Sequence, residues 1–260
     1  MLRFCLIGDS HLACLKAGWD ETPEPRKSSV SVTYFGAQSQ LFEDLRIEGK
    51  SLASTSELVK MKMASTSNGK TSIEVEDYDF FIVVGLGFNL RRLVVGPLSR
   101  YRTIKYNARR GNTFYVSESC LLESAIGIFK DSLAVRTAQK LKAAGAKRIA
   151  LVPQPLPSSS ILELTEEGKP FRQFQQHADG DEIYRLFYEA GMSLAKSQGL
   201  EFIEQPPQTR LDGFFSKPEY SVGSVRLTEN LDVPHSSQDF GHMNSRYGAE
   251  VWQSLLEGRM

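Results

Sequence analysis

The chain has 260 residues, of which 41% are hydrophobic and 24% are charged, a composition ordinary for a soluble globular protein. Its 31 basic and 31 acidic residues balance to a formal net charge of zero, which gives no electrostatic reason to expect nucleic acid or an anionic membrane as a partner. The three cysteines, Cys5, Cys14 and Cys120, are too few for a disulfide framework. No Cys and His spacing is typical of a metal site.

Apolar runs near the amino terminus and elsewhere are short. None approaches the length of a transmembrane helix. The run at residues 4–8 is shorter than the apolar core of a secretory signal. We therefore expect a cytoplasmic protein without a membrane partner.

The first part of the chain alternates strand and helix patterns. The apolar run at 4–7 stops at a glycine and predicts a buried strand, and a helix is expected from Ser10 onward. Residues 30–35 are rich in β-branched and aromatic side chains and predict a second strand that ends at Gly36. The pattern at 38–45 indicates the next helix.

Residues 46–76 are polar, and they include Asn68-Gly69, a strong signal for a tight turn. We expect exposed hairpins or a loop here, inserted into one domain that covers residues 1–260. A disordered linker between two domains is the alternative. Apolar residues that recur through the segment favour the insertion.

The remaining elements complete an alternating order. The uninterrupted apolar run at 80–84 predicts a strand buried on both faces, as in a parallel sheet. The further predictions are a helical stretch at 118–145, a strand at 148–152, a helix capped by Asp181 and ended by Gly199, a strand at 200–203 and a helix at 245–256. Alternation of this kind implies a parallel sheet with helices on both faces, and in such sheets binding sites form beyond the carboxyl ends of the strands.

Residues able to do chemistry follow these strands. Gly8-Asp9-Ser10-His11 follows the first strand, Gly36 the second and Gly87-Phe88-Asn89 the third, while Asp239-Phe240-Gly241-His242 precedes the last helix. These blocks, in this order, resemble those of the SGNH (GDSL-type) serine hydrolase family. The resemblance extends from residue 8 to residue 242, and it departs at His11, where commoner members carry Leu.

The resemblance implies a flavodoxin-like three-layer α/β/α sandwich around a central, mostly parallel five-stranded sheet. It also implies a catalytic set of Ser10 as nucleophile, His242 as general base and Asp239 as the partner of His242. The oxyanion hole would use the backbone N–H groups of Ser10 and Gly36 and the side-chain amide of Asn89. No metal or organic cofactor is required.

These residue types suit the chemistry, because a serine hydroxyl becomes a good nucleophile only when a base removes its proton. The expected activity is hydrolysis of a carboxylic ester through an acyl-Ser10 intermediate. By analogy with relatives, the substrate is a short-chain ester, such as an acetyl ester, of a small molecule or glycan.

Two alternatives remain open at this stage: an acyltransferase with the same site, and a non-catalytic glycan-binding module on the same fold. A phosphate-binding flavodoxin relative is weaker, because the loop after the first strand supplies a single hydroxyl. Ser10 alone would be read as a helix N-cap, and Asp9 as a carboxylate that accepts backbone N–H groups in its turn.

Other polar residues have secondary hypotheses. His11 is a candidate for shaping the pocket and His235 for touching the substrate. A basic stretch after the third strand is either a solvated surface or a wall for an anionic or sugar substrate; its members are Arg91, Arg92, Arg100, Arg102, Lys105, Arg109 and Arg110. Loops 90–115 and 205–238 are expected to set specificity, while the oligomeric state is not encoded in any recognisable pattern.

Overall fold

The computed structural model describes residues 1–23, 27–106, 114–164, 166–211 and 213–257. The strands are β1 (Leu2–Gly8), β2 (Val30–Gly36), β3 (Arg46–Glu48), β4 (Ser51–Ala53), β5 (Ile73–Glu74), β6 (Phe80–Val84), β7 (Tyr101–Arg102), β8 (Phe114–Tyr115), β9 (Ile149–Val152) and β10 (Glu201–Phe202). The α-helices are α1 (Leu12–Asp20), α2 (Glu57–Thr66), α3 (Arg91–Val95), α4 (Glu118–Lys130), α5 (Leu133–Ala143), α6 (Lys169–Gln176), α7 (Gly180–Gln198) and α8 (Ser245–Glu257).

The central sheet has the strand order β10-β9-β6-β1-β2, and every neighbouring pair in it is parallel. The predicted five-stranded parallel sheet is therefore confirmed. The chain passes from β1 to β2 on one side and then crosses to β6 on the other, so the strand order reverses beside β1. A crevice forms at such a reversal, outside the carboxyl ends of the strands. Ser10 follows β1 and lies at this point.

Apolar side chains cover both faces of the sheet and form the two outer interfaces of a three-layer sandwich. Along β1, Phe4 and Leu6 pack in a cluster with α1 and α8. Cys5 and Ile7 point to the opposite face and pack with α4, α5 and α7. Alternate residues of a strand point to opposite faces, so burial on both sides explains the uninterrupted apolar run.

Helices α1 and α8 cross at two glycines. A Cβ atom added to Gly248 would overlap the carbonyl oxygen of Cys14, and one added to Gly18 would overlap the backbone at Gly248. The indole N–H of Trp252 donates to the Leu15 carbonyl at 2.8 Å, which ties the two helices a little further along. Because α1 follows Ser10 and α8 follows His242, this crossing fixes the elements that carry both residues.

The segment 46–76 forms a small antiparallel sheet and a helix. Strands β3 and β4 pair around a turn at Gly49, which has a φ of 63°, and β5 pairs with β4. Helix α2 lies between β4 and β5, where hairpins or a loop were predicted. Its sequence is polar, and few of its side chains are buried, chiefly Val59 and Met63, so its amphipathic signal is weak. Asn68-Gly69 ends this helix rather than joining two strands, since the Gly69 N–H donates to the Ala64 carbonyl.

Three helix predictions need correction. The predicted helix at 38–45 is a 3₁₀ helix over Ser39–Asp44. The stretch at 118–145 is broken into α4 and α5, because the Ser132 side chain accepts the Val135 N–H at 3.3 Å and starts a new helix. Asp181 does not cap α7 but lies in its first turn, where its carboxylate accepts the Gly213 N–H at 2.9 Å.

The end of α7 is as predicted, since Gly199 adopts a left-handed φ of 64° at its C-cap. None of the helices in the described ranges combines the length and the apolar character that crossing a membrane requires.

We predict that Gly248→Ala lowers the free energy of unfolding by about 2 kcal/mol, since the new methyl group forces α1 and α8 apart. Gly127→Ala is the matched control, because Gly127 lies in α4 with no atom near the position of its Cβ. That change is expected to add about 0.5–1 kcal/mol, the usual gain for alanine over glycine within a helix. Urea denaturation measures both, and equal stabilities for the two variants would contradict the close crossing.

Candidate active site

Ser10, His242 and Asp239 meet at the carboxyl end of β1. Ser10 Oγ lies 2.7 Å from His242 Nε2. His242 Nδ1 lies 2.8 Å and 3.0 Å from the two carboxylate oxygens of Asp239. The structure therefore brings together, in the order hydroxyl, imidazole, carboxylate, the three residues that the sequence singled out.

Asp239 is held by more than the imidazole. Its Oδ1 accepts the backbone N–H groups of Gly241 and His242, each at 3.1 Å. Burial raises the pKa of Asp239, but its hydrogen bonds with His242 and the two backbone N–H groups outweigh burial and lower this pKa below its ordinary value. A charged carboxylate holds a proton on Nδ1, which leaves the Nε2 lone pair facing Ser10.

Asn244 fixes the start of α8 just after His242. Its side-chain oxygen accepts the Tyr247 N–H at 3.2 Å, which caps the helix. Its amide nitrogen donates to the carbonyl oxygens of Glu219 and Val222, both at 2.8 Å. The imidazole therefore projects from a short segment anchored at its helical end.

Two further histidines stack on the two faces of the His242 ring. The ring centroid of His11 lies 4.7 Å from that of His242, with an interplanar angle of 17°. The centroid of His235 lies 4.0 Å away on the other side, at 11°. His235 Nδ1 also lies 3.0 Å from an Asp239 carboxylate oxygen. The sequence hypotheses place His11 and His235 at the substrate pocket. Both rings line the cavity beside Ser10.

Both flanking rings favour the neutral form. Burial lowers the pKa of His11 to about 4, against the opposing effect of the Asp9 carboxylate and with a smaller lowering effect of the neighbouring His242. Burial likewise lowers the pKa of His235, together with His242 and Arg226 and against the pull of Asp239. The stack therefore holds neutral imidazoles on both sides of His242 at neutral pH.

The Asp9 carboxylate binds the loops that follow four strands of the sheet. It accepts the His11 N–H at 3.3 Å after β1 and the Ser39 hydroxyl at 2.8 Å after β2. It also accepts the Leu86 N–H at 3.0 Å after β6 and the Gln154 amide at 3.4 Å after β9. Asp9 is buried and accepts backbone N–H groups, as its structural interpretation predicts.

The loop after β6 takes a left-handed path so that it can reach this carboxylate. Gly85, Leu86 and Gly87 have φ angles of 70°, 48° and 78°. A side chain at Gly85 would be strained by this φ, and its Cβ would lie 2.7 Å from a carboxylate oxygen of Asp9. Glycine is therefore needed there for backbone conformation and for space.

Gly36 does not provide a free donor for an oxyanion, which corrects its predicted role. Its N–H donates to the Thr66 hydroxyl at 2.8 Å, within a buried contact. Thr66 ends α2, the helix that the sequence did not reveal, and its own hydroxyl lies 3.2 Å from the Met63 carbonyl. Gly36 still lines the pocket, and a Cβ there would overlap the Leu227 side chain.

Asn89 is half-buried and lies next to a lining residue of the pocket rather than among the lining residues. Its amide nitrogen donates to the Gln154 side-chain oxygen at 2.8 Å, and its oxygen accepts the Arg92 N–H at 3.1 Å. Gln154 does line the pocket. Sequence reasoning missed Gln154, although its place two residues after β9, at the carboxyl edge of the sheet, is a signal that could have found it.

The cavity beside Ser10 has a volume of about 820 Å³. Among its lining residues, Ala37 and Leu227 have aliphatic side chains. Its polar walls come from the loop after β2 (Gln38, Ser39, Gln40), from α2 (Lys62, Ser65, Thr66) and from the loop at 226–229 (Arg226, Thr228, Glu229). The predicted specificity loop 205–238 is thus represented by 226–229 and His235, and the insertion contributes a wall that was not predicted.

The basic stretch does not line this cavity in the described residues, which corrects the hypothesis of a substrate wall. Its described members are Arg91, Arg92, Arg100, Arg102 and Lys105, whereas Arg109 and Arg110 lie outside the described residues. Arg102 is not solvated but fully buried, with its guanidinium 4.8 Å from the ring centroid of Phe174. Lys105 pairs with Glu118 at 2.7 Å on the surface.

His235, Asp239 and His242 have potential ligand atoms within 4.8 Å of one another, which raises the question of a metal ion. A metal bound to an imidazole lies close to the plane of the ring, along its nitrogen lone pair. The rings of His235 and His242 are parallel and 4.0 Å apart, so one ion cannot lie in both planes. The geometry fits a stacked pair beside a carboxylate better than a metal centre.

No protein-family model matches the chain, and no curated protein matches it. Three solved structures are similar to it. They are the periplasmic domain of a lipopolysaccharide acetyltransferase from Salmonella ser. Paratyphi A (14% identity, 98% of this chain and 82% of that chain, TM-score 0.46), an extracellular lipase from Streptomyces rimosus (11%, 100% of both chains, 0.46) and phospholipase A1 from Streptomyces albidoflavus NA297 (12%, 99% of both chains, 0.44). At such identities residue roles do not transfer from these proteins to this chain.

We predict that His11 makes the stability of the fold depend on pH. The pKa of His11 is lowered to about 4 in the folded chain, below an ordinary value near 6.5, so the unfolded chain binds more protons between these values. The free energy of unfolding therefore falls as the pH is lowered from 7.5 toward 4, because the unfolded chain binds a proton at His11 that the folded chain does not. Between pH 7.5 and 4.5, the wild type should lose about 2 kcal/mol more than His11→Phe, measured by urea denaturation.

The exposed ring of His177 provides the matched control, as His177→Phe replaces an imidazole that lies in water. Parallel losses of stability in the wild type and in His11→Phe would show that His11 has no such effect.

Proposed function

We propose that this chain is an SGNH-type serine hydrolase that cleaves a carboxylic ester through an acyl-Ser10 intermediate. The observation that carries the proposal is the 2.7 Å contact between Ser10 Oγ and His242 Nε2, with Asp239 bound to the other ring nitrogen. A large open cavity adjoins this hydroxyl. The blocks that resemble the family lie in the loops at the carboxyl edge of the sheet, where their chemistry requires them.

The reaction has two halves that use the same three residues. In the first, His242 Nε2 takes the proton of Ser10 while Oγ attacks the carbonyl carbon of the ester. The imidazolium that forms is stabilised by Asp239 and gives its proton to the leaving alcohol, which leaves the acyl group on Ser10. In the second half, His242 takes a proton from water while the water oxygen attacks the acyl carbon, and it then returns this proton to Ser10 Oγ as the bond from Oγ to the acyl carbon breaks and the carboxylic acid leaves.

The negative charge on the tetrahedral intermediate needs preorganised donors. The Ser10 N–H has no acceptor among the described residues and lies at the start of α1, where the helix dipole favours an anion. The second amide hydrogen of Asn89 is the other donor we propose, since Gln154 engages the first. The Gly36 N–H is held by Thr66 and is left out. Each donor is typically worth about 3–4 kcal/mol in the transition state.

The polarity of the cavity supports a hydrophilic alcohol with a short acyl group. Gln38, Gln40 and Lys62 offer amide and ammonium donors on the walls, with Arg226 and Glu229 opposite in charge to each other. Polar walls of this kind match the hydroxyl groups of a carbohydrate. Ala37 and Leu227 are the aliphatic side chains among the lining residues, and they give a short acyl group a place to pack but offer few such contacts to a long chain. We therefore propose an acetyl or similarly short ester of a carbohydrate as substrate.

We predict that a fluorophosphonate probe labels Ser10 in the wild-type protein, and that peptide mass spectrometry places the adduct there. The reason is that only a serine activated by a base reacts at a useful rate. Ser10→Ala and His242→Ala should both lose the adduct. Ser65→Ala is the matched control, because this serine lies on the cavity wall away from the imidazole and its loss should leave labelling intact. A folded wild-type protein that forms no adduct would exclude the hydrolase.

We also predict that hydrolysis favours short acyl chains. With one alcohol leaving group, the acetyl ester should have a kcat/KM about tenfold or more above that of the decanoyl ester, since a decanoyl chain would remain in water against polar walls. Steady-state hydrolysis of matched nitrophenyl esters below their micellar concentrations measures the ratio. A higher kcat/KM for the decanoyl ester would contradict the proposed substrate class.

A further inference from the structure

We infer that His11 and His235 are positioning residues that clamp the ring of His242 between them. The inference rests on the proposed hydrolase function, because it assigns these residues a part in the same reaction. Both rings lie nearly parallel to that of His242, at centroid distances of 4.7 Å and 4.0 Å. Contact on both faces leaves the imidazole little freedom to rotate about its side-chain bonds.

A histidine base needs such restraint because its only other polar contacts are at the ring edge. The Asp239 carboxylate is hydrogen-bonded to Nδ1 of His242, and Ser10 Oγ is hydrogen-bonded to Nε2. Neither contact prevents the ring from tilting out of its plane. Displacement of a catalytic group by about 1 Å can cost about a hundredfold in rate. The two flanking rings oppose the motion that the edge contacts permit.

Each half of the clamp is anchored independently of α8. The His235 N–H donates to the Ser224 carbonyl at 2.9 Å, and a β-bridge joins Val225 to Pro234 next to it. The His11 N–H donates to Asp9, the carboxylate that gathers the loops around β1. The rings of His235 and His11 therefore contact His242 from two different segments, each held by its own hydrogen bonds.

The charges around the stack fit a clamp that stays neutral. His235 faces His242, Asp239 and Arg226, and burial keeps it uncharged with a lowered pKa. His11 faces His242 and Asp9, and it too has a lowered pKa. Only the central ring then becomes an imidazolium during the reaction. The π faces on both sides attract that positive charge.

His11 and His235 contact His242 through their ring faces rather than through their ring nitrogens. His11 Nδ1 and His235 Nε2 are buried and have no hydrogen-bond partner within the described residues, so these atoms support no further contact there. His235 Nδ1 contacts Asp239 at 3.0 Å, but what His11 and His235 supply to the His242 ring itself is an aromatic surface. Phenylalanine offers a similar surface without nitrogen atoms, whereas alanine offers none.

The test compares Phe and Ala at each position, in the full chain. We expect His235→Ala and His11→Ala each to lower kcat by about tenfold to a hundredfold, with KM within about twofold of wild type. His235→Phe and His11→Phe should recover most of the lost kcat, to within about threefold of wild type. The rate of fluorophosphonate labelling at Ser10 should fall and recover in the same order.

A role in folding alone would show as a loss of unfolding free energy with unchanged kcat in the protein that remains folded, and it would overturn the clamp. Phe variants as slow as the Ala variants would overturn it as well. Failure of the hydrolase proposal is recognised separately, as the absence of a Ser10 adduct in the wild type. If the wild type is labelled and all four variants react at its rate, the hydrolase stands and the clamp falls.

Discussion

The carboxylate of Asp9 is the contact on which the arrangement of the site depends. It follows strand β1 and accepts hydrogen bonds from the loops after β1, β2, β6 and β9. Parallel strands deliver their following loops to one edge of a sheet, but nothing in the sheet itself fixes those loops relative to one another. One buried acceptor does so here. The loops that carry Ser10 and Gln154 are thereby fixed relative to each other.

The sheet and the three central residues of the site were predictable because both depend on short-range patterns. The run at 80–84 is apolar without interruption, and burial on both faces is the physical reason. Ser10 and His242 are 232 residues apart, and their encounter followed from the blocks around them together with the rule that strand ends converge. The motifs identified the residues, and the parallel topology predicted that they lie close together.

The parts that escaped prediction depend on contacts between distant segments. Helix α2 has a polar sequence, and its Thr66 hydroxyl occupies the Gly36 N–H, which no pattern around Gly36 reveals. The sequence around Gln154 is that of an ordinary loop, and its two hydrogen-bond partners, Asn89 and Asp9, lie far away along the chain. The histidine stack joins His11, in the loop after β1, to His235 and His242, in the segment before α8, so its arrangement is not encoded in either segment alone.

The glycine crossing of α1 and α8 has a consequence for synthesis of the chain. A ribosome delivers Ser10 early and His242 only after almost the whole sheet has emerged, and the first helix cannot acquire its partner before then. Until α8 docks against Gly18, the serine turn has no imidazole beside it and the apolar face of α1 is uncovered. The contact between Ser10 and His242 and the covering of the apolar face of α1 therefore both depend on the docking of α8.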